Sequence, residues 1–227
     1  MTHRISALIP LKGHSGRVPG KNLRDFNGRP LFHVIIETLQ RATTVAEIYV
    51  DTDSVEIAES AAALDDVIVI ERRPELVGDD VSVNRLITAF LDSHHDAHLL
   101  QTHATSPLLE SNTIDRAVET YFDDPSTTSL FGVTRHQARF WDQELHAINH
   151  DPAELIPTQD LEPLFLENSS LYIFGREGFS ESDHRISSTA RMFEIDPLQA
   201  IDIDEESDFA LAAVIHRMRA TPPNIGG

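Results

Sequence analysis

The chain has no cysteine, which excludes both disulfide bridges and thiolate chemistry. It has a single tryptophan in 227 residues and no apolar run approaching the roughly 20 residues that a spanning helix needs. The start, Met1-Thr2-His3-Arg4-Ile5-Ser6, leads directly into a short apolar segment instead of a signal-peptide core. A soluble, cytoplasmic protein without a membrane partner is the expectation. Basic residues are scarce as well: 18 Lys and Arg stand against 37 Asp and Glu, for a formal net charge of −19. A surface of that sign repels nucleic acid and anionic lipid outside a local basic site. It also suits folding in concentrated salt, which screens the self-repulsion.

Scarcest of the charged residues is lysine. The two that exist, Lys12 and Lys21, lie in one loop after the first strand-like run, within Leu8-Ile9-Pro10-Leu11-Lys12-Gly13-His14-Ser15-Gly16-Arg17-Val18-Pro19-Gly20-Lys21-Asn22-Leu23. Three glycines and three cations share this connection. Glycines let backbone amides turn toward a ligand, and cations offset phosphate charge, so the loop reads as a polyphosphate site. It is neither GxxxxGK[ST], since Asn22 follows Lys21, nor GxGxxG.

Strand-like runs at 5–11, 47–51, 67–70, 98–101, 129–133, 170–174 and 192–195 alternate with helix-like stretches at 30–41, 54–64, 82–92, 112–122 and 205–219. The alternation predicts a single α/β domain over 1–220, with a mainly parallel sheet, doubly wound by helices on both faces and open to ligands at the carboxyl ends of its strands. From 136 to 167 the periodicity fails and an excursion from the core is expected. The tail, 221–227, reads as disordered. The histidine-rich segment His94-His95-Asp96-Ala97-His98 fits no metal-binding spacing, and neither HExxH nor GxSxG occurs.

The loop resembles the signature of the cytidylyltransferases that activate acidic sugars such as sialic acid and KDO, with Pro10, Gly13, Ser15, Pro19, Lys21 and Asn22 in register. Lys12 stands where that pattern has Arg, and Gly16 where Lys is usual. Further segments resemble the family in order along the chain. They are Thr52-Asp53-Ser54; Arg72-Arg73 followed by Asp80-Val81-Ser82-Val83-Asn84; Gln101-Thr102-His103-Ala104-Thr105-Ser106-Pro107; Glu167-Asn168-Ser169-Ser170-Leu171-Tyr172; and Ile201-Asp202-Ile203-Asp204 with Asp208-Phe209 beyond. Gln159-Asp160 resembles a family pair that arginine precedes, whereas here Pro157-Thr158 precedes it. That leaves the sugar carboxylate to another cation, with Arg139, Arg185 and Arg191 as candidates.

The resemblance implies a Rossmann-like fold of the nucleotide-diphospho-sugar transferase type and a reaction in which CTP and an acidic sugar give a CMP-sugar and pyrophosphate. It implies Lys12, Arg17 and Lys21 as the catalytic, phosphate-holding cations. Leu11, Gly13, Ser15, Asn22, Arg72, Arg73, Ser82 and Asn84 would complete the nucleotide site, with Gln101, Asn168 and Tyr172 facing the sugar. Strand alternation would put Asp202 and Asp204 on one face, where two carboxylates repel unless a cation lies between them. Mg²⁺ on the triphosphate is the natural cation, the other reading being a helix-capping Asp beside a solvated neighbour. The 136–167 excursion would make a homodimer. Two other readings stay open: a non-catalytic nucleotide-sugar binding protein, and a nucleotidyltransferase using another sugar or NTP.

Overall fold

The computed structural model describes residues 3–220; the tail expected to be disordered lies outside them. The elements follow as β1 (Ile5–Leu11), α1 (Leu31–Arg41), β2 (Val45–Thr52), α2 (Val55–Ala62), β3 (Val67–Glu71), α3 (Val83–Ser93), β4 (His98–Thr102), α4 (Ser111–Phe122), β5 (Ser129–His136), β6 (Leu164–Gly175), α5 (Arg176–Ser182), β7 (Ala190–Glu194) and α6 (Glu206–Ala220). All strands join one sheet in the order β3-β2-β1-β4-β6-β5-β7. The pairings are parallel from β3 through β4 and between β5 and β7, while β6 runs antiparallel to both its neighbours. The expected mainly parallel α/β sheet is present.

Alternation along the strands sorts the core into two layers. Ala7, Ile9 and Leu11 of β1, Leu100 of β4 and Ile173 of β6 pack with Phe32, Ile35 and Leu39 of α1, Ile57 of α2 and Ile114 and Val118 of α4. On the other face Leu8, Leu99, Tyr172 and Phe174 meet Ile87 and Phe90 of α3 and Phe179 of α5. The period of two on the strands and of 3.6 on the helices explains why every second strand residue changes layer. Ser54 and Ser82 start α2 and α3 by accepting hydrogen bonds from the amides of Ile57 and Arg85, a side-chain solution to the orphan donors of a helix start. A third cluster, with Phe26 and Leu31 against Ile203, Phe209 and Ala212, brings α6 back beside the β1–α1 loop.

Three sequence expectations change. β6 begins at Leu164 instead of 170, so the last residues of the expected excursion belong to the sheet, paired with β5 from His136↔Leu164 to Val133↔Glu167. The irregular part is 137–163, held by turns and a Trp141↔Ala147 bridge. The segment from Ile201 to Asp204 has no regular secondary structure and joins no strand; its one backbone bond to the turn after β4 runs from the Ile203 amide to the Thr105 carbonyl, 2.9 Å. α5 was not expected. Among the described residues no helix is long and apolar enough to cross a membrane.

The chain winds outward from β1 through β2 to β3 and then returns to place β4 on the other side of β1. Such a reversal of direction opens a crevice outside the carboxyl ends of the two central strands. Both the β1–α1 loop and the turn after β4 emerge there.

Candidate active site

A cleft of about 370 Å³ lies at that reversal, walled by Leu11, Lys12, His14, Ser15, Gly16, Arg17, Val18, Lys21 and Asn22 on the β1 side and by His103, Ala104 and Thr105 beyond β4. The loop's shape follows from its ends. Asn22 donates from Nδ2 to the Lys12 carbonyl, 2.9 Å, closing the loop on itself. The Gly13 amide donates to Asp53 Oδ1, 2.7 Å. Gly13 has to be glycine, because a Cβ there would lie 2.9 Å from Ser54 Cβ. Gly20 takes a left-handed φ of +63°, a conformation that costs glycine little. The amides of His14, Ser15, Gly16 and Arg17 make no hydrogen bond among the described residues, leaving donors for an anion.

The loop's cations are already engaged by protein oxygens. Arg17 donates from Nη2 to Asp204 Oδ1, 2.6 Å, and Lys21 Nζ donates to the Ile203 carbonyl, 2.7 Å. Burial lowers the Lys21 pKa, against the pull of Asp202 and Asp204, which raises it. Burial raises the Asp202 pKa, and the Asp204 charge pushes it the same way. Across the cleft mouth, Asp79 accepts from Lys12 Nζ at 3.3 Å and lies 3.2 Å from His14 Nε2. The ammonium of Lys21, the guanidinium of Arg17 and the two carboxylates therefore form one compact cluster.

For a magnesium ion the donor set is suitable. The Thr105 hydroxyl reaches the Asp202 carboxylate, but Asp202 Oδ1 is buried with no hydrogen-bond partner among the described residues, an arrangement that normally costs stability unless something fills it. Asp204 stands beside it with only a surface arginine attached. Hard carboxylate oxygens suit Mg²⁺, which takes one or two protein carboxylates and completes its octahedron with other oxygens and water.

The remaining residues singled out in the sequence divide. Arg72 lines the cleft floor, but its side chain is only 1% exposed and is spent on the protein: Nε to Asp51 at 2.6 Å, Nη1 to Asp53 at 3.5 Å and Nη2 to the carbonyls of Leu11 and Asp51, both 3.1 Å. It braces the ends of β1 and β2 from beneath the loop. Burial raises the Asp51 pKa while Arg72 opposes the shift. Arg72→Met should thus cost about 3–5 kcal/mol in chemical denaturation by stranding that carboxylate. Loss of under 1 kcal/mol would contradict the bracing role. Arg73 points elsewhere, donating to the Ala89 carbonyl, 3.2 Å. Ser82 caps α3, and Asn84 donates to the Asp183 carbonyl, 3.2 Å; neither is among the cleft walls.

Gln101 is fully buried. Its Oε1 accepts from Arg185 Nη1, 2.6 Å, so its Nε2 is the donor facing His103 Nε2 at 2.8 Å. His103 then accepts at Nε2 and carries its proton on Nδ1. Burial, with Arg185 and Lys21 adding to it, drives the His103 pKa down to about 4, which keeps the ring neutral at physiological pH. Asn168 is buried and spent within the sheet, donating to Thr134 Oγ1 and accepting from the Ser170 amide, each 3.1 Å. Tyr172 donates to Glu167 and lies under Arg185, whose Cζ is 3.6 Å from the ring centroid. Burial and the Glu167 bond raise the Tyr172 pKa to about 12. His103, Asp79 and His14 were missed in the sequence. His103 lies inside the quoted turn after β4, yet nothing local distinguishes a cleft-facing histidine from a solvated one.

A family model described as cytidylyltransferase matches residues 6–218. The chain is 27% identical over 210 residues to an N-acylneuraminate cytidylyltransferase of Streptococcus agalactiae, covering 89% of this chain and 51% of that protein. It is 31% identical over 224 residues to the CMP-N,N'-diacetyllegionaminic acid synthase of Legionella pneumophila, covering 92% of this chain and 94% of the other. The chain thus spans about half the length of the N-acylneuraminate relatives and nearly all of the legionaminic one. Among solved structures, CMP:2-keto-3-deoxy-manno-octonic acid synthetase complexed with CTP superposes with a TM-score of 0.69 at 15% identity, over 95% of this chain and 99% of that one. That likeness is one of fold.

Proposed function

Because the chain belongs to the cytidylyltransferase family, we propose that it activates an acidic sugar of the nonulosonic or KDO-like class with CTP, releasing pyrophosphate and a CMP-sugar. The observation that carries the reading is the cluster of Lys21 and Arg17 with Asp202 and Asp204 at the sheet's reversal point. A sugar hydroxyl, losing its proton to solvent, attacks the α-phosphorus, the bond to the β-phosphate oxygen breaks as pyrophosphate leaves, and the charge that develops on the phosphates is met by fixed cations. Lys21, half-buried and aimed from the loop, holds the phosphates as Arg17 and Lys12 exchange their carboxylate partners for them. The free amides from His14 to Arg17 add dipoles of the same sign. Asp202 and Asp204 would hold Mg²⁺, which when bound neutralises the triphosphate and favours pyrophosphate as leaving group. His103, neutral and protonated on Nδ1, offers a donor at the cleft wall without adding charge.

The reading is tested by incubating the protein with Mg²⁺, each of the four NTPs and a panel of nonulosonic and KDO-type acids, and identifying the products by mass spectrometry. A CMP-sugar made from CTP is the expected product. Nucleotide bound without any conjugate formed would favour a binding protein instead.

Assembly belongs to the same proposal. The irregular segment exposes Trp141, Leu145, Ile148 and Leu155, and the start of β6 exposes Phe165 and Leu166. Exposed apolar side chains concentrated in one stretch of chain suit an interaction site, and a second copy of the chain is the partner proposed. Sedimentation should return a dimer that Leu155→Glu with Leu166→Glu converts to monomer. A monomeric parent would remove this part of the account.

A further inference from the structure

The proposed acceptor is an acid, and its carboxylate requires a cation close to the reacting centre. We propose that Arg185, in the loop between α5 and β7, binds the acceptor's carboxylate and sets the preference for sugar acids over neutral sugars, an inference that rests on the cytidylyltransferase reading above.

Three observations carry it. The first is a difference in how the interior arginines are used. Arg72 gives its donors to two aspartates and two carbonyls, and Arg176 to the carbonyls of Asp96, Leu91 and His94. Arg185 makes one hydrogen bond, from Nη1 to Gln101, and among the described residues no carboxylate lies within ion-pair distance of it. Glu167, the acid whose charge reaches it, is engaged by the Tyr172 hydroxyl.

The second observation is preorganisation. Tyr172 lies against one face of the guanidinium and Gln101 holds one edge, so the plane is fixed and the Nε and Nη2 donors keep a defined direction. A planar fork held in this way suits a carboxylate, which takes two parallel N–H bonds. Part of the cost of ordering the side chain is met before any ligand arrives.

The third is position. His103 touches Gln101 and lines the phosphate cleft, and its pKa responds to both Arg185 and Lys21. Arg185 is thus joined to the cleft wall through Gln101, which bonds to it on one side and to His103 on the other. An acceptor seated against that wall with its hydroxyl at the α-phosphorus would present its carboxylate to Arg185. The other cations considered lie elsewhere: Arg139 donates to the Ile156 carbonyl and Arg191 to that of Thr120, both on exposed surface.

The test compares parent, Arg185→Met and Arg185→Lys in the full chain, measuring pyrophosphate release from CTP with each sugar acid and with its methyl ester. Met keeps the stem against Tyr172 and removes the charge, whereas Lys keeps the charge without the fork. With Arg185→Met, KM for the acid should rise about 10- to 100-fold, the scale of one lost charge-assisted contact. KM for CTP should stay within about twofold on the same reasoning. The parent's preference for acid over ester should largely vanish, and Arg185→Lys should fall between. If Arg185→Met melts far below the parent, the Lys variant carries the comparison. A variant that keeps the parental acid-over-ester preference overturns the role of Arg185 and leaves the reaction intact. A parent that releases no pyrophosphate with any acid overturns the cytidylyltransferase reading, and this inference with it.

Discussion

Lys21→Ala is expected to lower turnover by roughly 10²–10³-fold, the loss that follows removal of one preorganised group facing developing charge. The side chain reaches inward from the loop and rests on the Ile203 carbonyl, half-buried beside Asp202 and Asp204. Its charge is therefore little screened by solvent, and its effect on a phosphate is larger than that of an exposed lysine. Stability should move much less. Burial opposes the ammonium while the two aspartates favour it, so deletion removes an unfavourable and a favourable contribution together. Pyrophosphate release under saturating CTP, alongside a thermal melt, checks both halves. Near-parental turnover with an unchanged melting temperature would remove Lys21 from the site.

Asp202→Asn and Asp204→Asn should each abolish most Mg²⁺-dependent turnover while melting no lower than the parent in the absence of metal. Asn preserves size and one oxygen ligand but removes the negative charge a divalent cation needs. The sign for stability follows from the pKa of Asp202. Burial and the neighbouring Asp204 raise it, so folding disfavours the ionised form and a neutral isostere relieves that cost at pH values above the raised pKa. Asp204→Asn gives up an exposed pair with Arg17, worth little by itself. If the aspartates only cap and solvate the start of α6, Asn serves nearly as well and activity survives. In the structure neither aspartate side chain accepts from an α6 amide among the described residues, and Asp208 Oδ2 reaches back to the amides of Asp204 and Glu205 just ahead of the helix. Activity within a few-fold of the parent in both variants would refute the metal site.

Local pattern disclosed much of this arrangement, and its limits have physical causes. β1 was legible end to end because a buried central strand is a continuous apolar run that stops at a glycine-rich loop. Five of the six helices were legible from their apolar stripes, while the short α5 was not. β6 was read at half its length, since Phe165 and Leu166 face outward and the strand's first half has no interior pattern. Its antiparallel insertion between β4 and β5 is a long-range fact with no local signature. The aspartate pair was expected to share a strand face; the segment lies outside the sheet, and tertiary packing of Ile203 among Phe26, Leu31 and Phe209 places it. Arg185 was one of three candidate cations until the fold put it over Tyr172 and beside Gln101. Arg72 shows the opposite case, a residue read as facing the nucleotide that is committed to the scaffold below it.

Cytidylyl transfer to a sugar acid in this cleft is the proposed reaction. It is tested most directly by single-turnover incubation of the purified protein with α-phosphorus-labelled CTP, Mg²⁺ and a panel of nonulosonic and KDO-type acids. The account predicts transfer of the label to a CMP-sugar with stoichiometric pyrophosphate, lost on chelation of the metal and reduced by Lys21→Ala. Label that remains in CTP for every acid tested, with the protein folded and CTP bound, would contradict it.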